Sequence, residues 1–248
     1  MGYNPAMWVL GVLGCIGLRP LFEPPDLAEG EEPPPIQVSQ YEGKYSQDAR
    51  FVEAFDDLQN RGDQALAHAM NRIGLGGPSG WSPSLVIEDA TEPSDAEHYK
   101  GPMALTRGTR NKVQVVVRPE YVLNGWMDLD VTLRHEMVHA IVRSRYVHKA
   151  ELIPYWLMEG MAVWSAAQVN DKIFSIHTME DQWTRSEPTL TAQGGDTSRY
   201  AEYGLGLRCL EQQHGDTAIQ RIFRAMGKER STVAVFDEAT GQPYADTV

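Results

Sequence analysis

The chain has 248 residues, with 34 acidic side chains against 22 Lys and Arg, so its formal net charge is −12. A surface this acidic excludes nucleic-acid binding through a basic face. The length is enough to bury a sizeable core in one compact domain, and the 2 cysteines, Cys15 and Cys209, do not suggest a disulfide framework.

In chain order, residues 1–18 come first. Met7 to Leu18 is apolar but far too short to span a membrane as a helix. It looks like the apolar part of a signal peptide. Val12-Leu13-Gly14-Cys15 resembles a bacterial lipobox, which would make Cys15 the lipidated first residue of a mature lipoprotein and its lipid the membrane anchor. The first ten residues carry no Lys or Arg, whereas a signal peptide wants a positive start, so the alternative is a cytoplasmic protein with an apolar N-terminus. Residues 19–43, rich in Pro and acid through Glu23 to Pro35, read as an extended linker. The folded domain is expected over 44–248.

Within it, Phe51, Phe55, Leu58, Leu66, Met70 and Ile73 recur at helical spacing and predict a helix over 46–73. Leu85-Val86-Ile87, Met103 to Thr106 and Val113 to Val117 predict strands, the last closed by Pro119. A helix follows from near Asp128 to Tyr146, with Asp128 or Asp130 as its N-cap. A second, started by Pro154, is apolar on every side. Residues 169–198 read as loops. Further helices begin at Tyr200, at Asp216 and at Ser231 or Thr232, the last two ending at Gly227 and Gly241. Strands first and helices after is an α+β order.

The chemistry lies in Leu133-Arg134-His135-Glu136-Met137-Val138-His139-Ala140, which contains HExxH. On a helix, His135 and His139 are one turn apart on one face, so both imidazoles reach one ion. Glu136 sits beside them, placed to take a proton from a metal-bound water. Zinc in a hydrolase wants three protein ligands and one open position. A third histidine in the pattern HExxHxxGxxH is absent, because those positions hold Val142 and Arg145. Glu159, twenty positions after His139, is the candidate third ligand, since a lone carboxylate in an apolar helix is costly unless paired or bound to metal. The plainer reading is a carboxylate at the helix surface with its head in water. Trp156 and Trp164 on the same helix are core candidates. His68, His98, His148, His177 and His214 read as surface or satisfied histidines, and His177 alone among them could line a cleft.

HExxH followed by Trp156-Leu157-Met158-Glu159-Gly160-Met161-Ala162 resembles the gluzincin zinc metallopeptidases, the group of thermolysin and the zinc aminopeptidases, and within it the peptidase MA-like branch. The resemblance extends over roughly residues 80–241. It implies a zincin-type catalytic half behind a small mixed sheet, Zn²⁺ as cofactor, and a peptide or protein as substrate. It also implies a tyrosine that donates to the oxyanion. Tyr200 stands ten positions before Leu210 and fifteen before Gly215, as that tyrosine does in the aminopeptidase relatives, and Tyr203 is its rival.

The departures shape the functional reading. No GxMEN-like element, which grips a substrate's free amine in aminopeptidases, occurs between residues 84 and 131. Endopeptidase is therefore favoured over aminopeptidase. Met158 stands where the family often has Asn, and Val163 where thermolysin-like relatives place an Asp that orients a ligand histidine. A degenerate relative serving as an envelope binding module is the alternative. The sequence leaves the oligomeric state open.

Overall fold

The structure is a computed structural model that describes residues 35–76, 81, 83–89, 104–108, 112–124, 129–146, 153–166, 200–226 and 232–241. These residues fall into two compact units. One, the sheet unit, holds the described residues from 35 to 146 together with 165 and 166. The other, the helical unit, holds those from 153 to 164 and from 200 onward. The lipobox with Cys15, residues 19–34 of the expected linker, and the 169–198 stretch with His177 lie outside the described residues.

The sheet unit runs β1 (Gln37–Val38), α1 (Ala49–Asp56), α2 (Leu58–Ile73), β2 (Ser84–Ile87), β3 (Ala104–Arg107), β4 (Gln114–Val117), α3 (Pro119–Asn124) and α4 (Leu129–Arg145). The strands form one mixed sheet in the order β1-β2-β4-β3, with β1, β2 and β4 parallel and β3 antiparallel to β4. β4 is an inner strand, and its Val115, Val116 and Val117 are all buried, as expected where both sheet faces are covered. β3 is an outer strand of the described sheet. Its Ala104 and Thr106 are buried while Leu105 and Arg107 are more exposed, so the first pair shares the covered face. That face meets α4, which also packs along α2. α2 presents Leu58, Gly62, Ala65, Leu66, Ala69 and Ile73 as its buried stripe.

Two elements differ from the sequence expectation. The helix over 46–73 is two helices, broken at Asp57, which takes φ −88 and ψ −5 and turns its carboxylate to the side chains of Asn60 and Arg61. Pro119 does more than close β4: it opens α3, where its missing N–H costs nothing. Of the two expected N-cap candidates for α4, Asp130 lies inside the first turn and accepts from Arg61 at 3.3 Å, and Asp128 lies outside the described residues.

The sheet also begins inside the segment expected to be linker. Ile36 is 1% exposed, and its N–H donates to Asp63 at 2.7 Å. β1 pairs with β2 through the N–H of Ser39 to the Leu85 carbonyl at 2.9 Å. The Tyr41 hydroxyl donates to Asp89 Oδ1 at 2.6 Å. Pro and acid make residues 23–35 extended, but from Ile36 onward apolar and hydrogen-bonding side chains give the chain something to dock with.

The helical unit holds α5 (Tyr155–Ser165, whose last residue falls to the sheet unit), α6 (Tyr200–His214), α7 (Asp216–Met226) and α8 (Thr232–Thr240). These agree with the expected helices to within a residue or two. Gly215 turns the chain between α6 and α7 at φ 77, a left-handed conformation that glycine adopts without strain. α7 buries Ala218, Ile219, Ile222, Phe223 and Met226 on one stripe, between α6 and α8. The architecture is thus a mixture of α and β, with a small mixed sheet early in the chain and helices making up most of the rest. Among the described residues no helix is long and apolar enough to cross a membrane.

Burial, and then the hydrogen bond to Asp89, push the Tyr41 hydroxyl above the usual phenol range. The folded state therefore holds this proton after the unfolded chain has released it. The stability it contributes is complete below about pH 10 and is lost progressively as pH rises above that value. Tyr41→Phe is expected to be less stable than the parent at neutral pH, with the difference shrinking above about pH 10. Urea unfolding across that range checks it, and a difference that stays constant with pH would refute the assignment.

Candidate metal centre

α4 turns Leu129, Leu133, Met137, Val138, Ala140, Ile141 and Val142 into the core, while Arg143 and Arg145 stay exposed. His135 and Glu136 lie on the covered part and are only 6% and 7% exposed. Polar groups buried this deeply need partners. His135 and His139, four residues apart, turn their Nε2 atoms towards each other at 3.1 Å, with the ring planes crossing at 76°. Glu136 turns to the sheet, where the Thr106 hydroxyl of β3 lies 2.7 Å from Oε2 and 3.1 Å from the Glu136 carbonyl.

The two imidazoles fit a metal. A tetrahedral zinc at about 2.0–2.1 Å from each nitrogen holds two nitrogens about 3.3 Å apart, close to the separation seen here. Nε2 is also the lone-pair nitrogen of one neutral tautomer, the state that binds metal. The pair, built by helical spacing, could therefore supply two of a metal ion's ligands.

In the helical unit, the Pro154 carbonyl accepts from the N–H groups of Leu157 and Met158, both at 3.0 Å, and so starts α5. The helix then buries Trp156, Leu157, Met161, Ala162, Val163 and Trp164, as an all-apolar helix must. Glu159 is 8% exposed in the midst of them. The side chain is therefore largely buried rather than at the helix surface. Val163 is 1% exposed and serves as core, so no carboxylate is supplied from that position.

α5 and α6 approach at backbone distance. A Cβ on Gly160 would fall 2.9 Å from the Tyr203 carbonyl oxygen. Trp164 Nε1 donates to Glu211 Oε2 at 2.6 Å across the same pair of helices, and the rings of Tyr155 and Tyr203 meet edge to face at 6.4 Å. Tyr203 is thereby buried against α5, at 9% exposed. Tyr200 forms the first residue of α6, as expected, but its side chain lies outside what is described.

Trp156 packs on Phe236 and Trp164 is buried, so both tryptophans are core. His68 is a satisfied histidine, with Nε2 2.7 Å from the Ser165 carbonyl. Burial lowers the pKa of His214 below the usual imidazole range, and nearby Arg221 adds to this. The residue that sequence reading missed is Thr106. Its only signal was its place two residues from Ala104 on one face of a short strand, and nothing in the sequence tied that face to Glu136.

No protein-family description, no curated protein and no solved structure matches the chain.

Replacing Gly160 by Ala improves helix propensity but drives a methyl group into backbone that cannot swing aside. Gly160→Ala is expected to destabilise the protein by about 1–3 kcal/mol. Denaturant unfolding reads this directly, and a neutral or stabilised variant would show that α5 and α6 are not held this close.

Proposed function

We propose that the chain is a zinc-dependent endopeptidase of gluzincin type, in which His135, His139 and Glu159 hold the ion and Glu136 is the general base. The observation that carries the reading is the pair of Nε2 atoms at 3.1 Å on α4, with the Glu136 carboxylate on the same helix. Among the described residues, His135, His139 and Glu159 are a set of side chains able to serve one metal ion. Two nitrogens and one carboxylate oxygen suit zinc and leave a position for water.

When bound, zinc lowers the pKa of its water to about 7 and polarises the substrate carbonyl. His135 and His139 bind through Nε2, and Glu159 adds the third, charged ligand. Glu136 accepts the proton of the attacking water and later passes it to the leaving amine. Tyr200 donates its hydroxyl to the substrate oxygen as negative charge develops there, a role in which loss of one donor costs about a hundredfold or more in rate. β3, the outer strand beside Glu136, offers main-chain groups to an extended peptide, as in strand addition. A peptide held by its backbone needs no free amine, which agrees with the missing amine-binding element and favours cleavage within chains over aminopeptidase action.

The second reading keeps the zincin-type fold and the metal without turnover, as an envelope binding module. Burial of Val163 among core residues favours it, since the carboxylate that orients a ligand histidine in thermolysin-like relatives has no substitute there. In either case the Cys15 lipobox would tether the chain to a bacterial envelope membrane through its lipid.

The parent is expected to carry about one zinc per chain after purification without an affinity metal, and His139→Ala and Glu159→Ala to lose most of it. Glu136→Gln is expected to keep the zinc and to lose cleavage of an internally quenched peptide library by about a hundredfold or more. Elemental mass spectrometry and fluorescence read the two arms. Failure of the parent to bind added zinc would overturn both readings. Zinc binding without cleavage of any library member would leave the binding module.

A further inference from the structure

We propose that Thr106 is the positioning residue of the general base: its hydroxyl fixes the Glu136 carboxylate, so that one oxygen is tied and the other takes the proton. The inference rests on the reading of Glu136 as base, and it lies wholly within the sheet unit.

A glutamate side chain has three rotatable bonds, and the last, between methylene and carboxylate, is soft. Being next to a ligand histidine on α4 fixes the Cα of Glu136 but not its oxygens. Proton transfer needs them within hydrogen-bond reach of the water, so an unheld carboxylate spends part of its time misdirected. Thr106 removes that freedom. Its hydroxyl has one proton and two acceptors in range, Oε2 at 2.7 Å and the Glu136 carbonyl at 3.1 Å. The shorter contact is at the usual O–H···O distance and involves a charged acceptor, so the proton belongs to the carboxylate. Thr106 is itself rigid. It is β-branched, 8% exposed, and set on β3 by pairing opposite Val115. The base is thus held from the sheet while its backbone is held by the helix.

Hydrogen bonds to ionised groups are worth enough that losing one typically costs tenfold or more. The test uses the zinc-loaded full chain and two probes. Acetohydroxamic acid binds zinc and gives its hydroxyl proton to a neighbouring carboxylate, so its affinity reports a correctly placed base. Azide binds zinc with no proton to give. Thr106→Val, which keeps shape and β-propensity, is expected to weaken acetohydroxamate binding about tenfold in isothermal calorimetry while leaving azide affinity and zinc content unchanged. Thr106→Ser is expected to restore it. On a cleavable peptide from the library, kcat falls by a similar factor with KM unchanged. Should Thr106→Val not fold, Thr106→Ala takes its place. If Glu136→Gln weakens acetohydroxamate binding and neither Thr106 variant does, the inference is overturned and the base stands. If Glu136→Gln has no effect either, the reading of Glu136 falls and the inference with it. Weakening of both probes alike in Thr106→Val would mean a damaged metal centre and would also overturn it.

Discussion

The sheet unit depends on the burial of two polar side chains, His135 and Glu136, on the covered face of α4. A helix that carries Leu133, Met137, Val138, Ile141 and Val142 must be covered, and covering it takes His135 and Glu136 out of water along with them. Each then needs a partner that the protein supplies. One is the neighbouring imidazole a turn away, and the other is a hydroxyl on the sheet. The register of β3 follows from this demand. A slip of one residue would put Leu105 in place of Thr106 and remove the donor, or force the long Arg107 side chain into a buried place that holds a threonine.

The helical unit solves a related problem by other means. α5 is apolar enough to be buried on all sides, and its Glu159 is carried inside with it. Here proximity of backbone does the holding: Gly160 admits the Tyr203 carbonyl, and the Trp164 indole closes on Glu211. A side chain on such a helix has little freedom to relocate, a property wanted of any ligand whose position must be kept.

Much of this was legible in the sequence because it rests on periodicity. The spacing of His135 and His139 fixes their meeting on any helix, and the apolar surround of Glu159 foretold its burial. The helix starts at Tyr200 and Thr232 were marked by local signals of the same kind. Contacts between distant segments were not legible. Thr106 is thirty residues from Glu136 and on a strand of four residues, too short for its pattern to carry weight. Asp57 looked like an ordinary helical position because its turn depends on the side chains it finds in Asn60 and Arg61. Ile36 to Tyr41 looked like linker because Pro and acid precede it, and only the pairing of β1 with β2 shows otherwise.

The contact at Gly160 changes how the run Trp156 to Ala162 should be weighed. Its letters answer to different pressures. If the proposed metal site holds, Glu159 is a chemical letter, replaceable only by another metal ligand. Gly160 is an architectural one, fixed by the thickness of a methyl group between two helices. A lineage that abandoned catalysis would be free to change the first and still be bound to keep the second. Drift at residue 159 with constancy at residue 160 would therefore be the signature of a scaffold that has outlived its reaction.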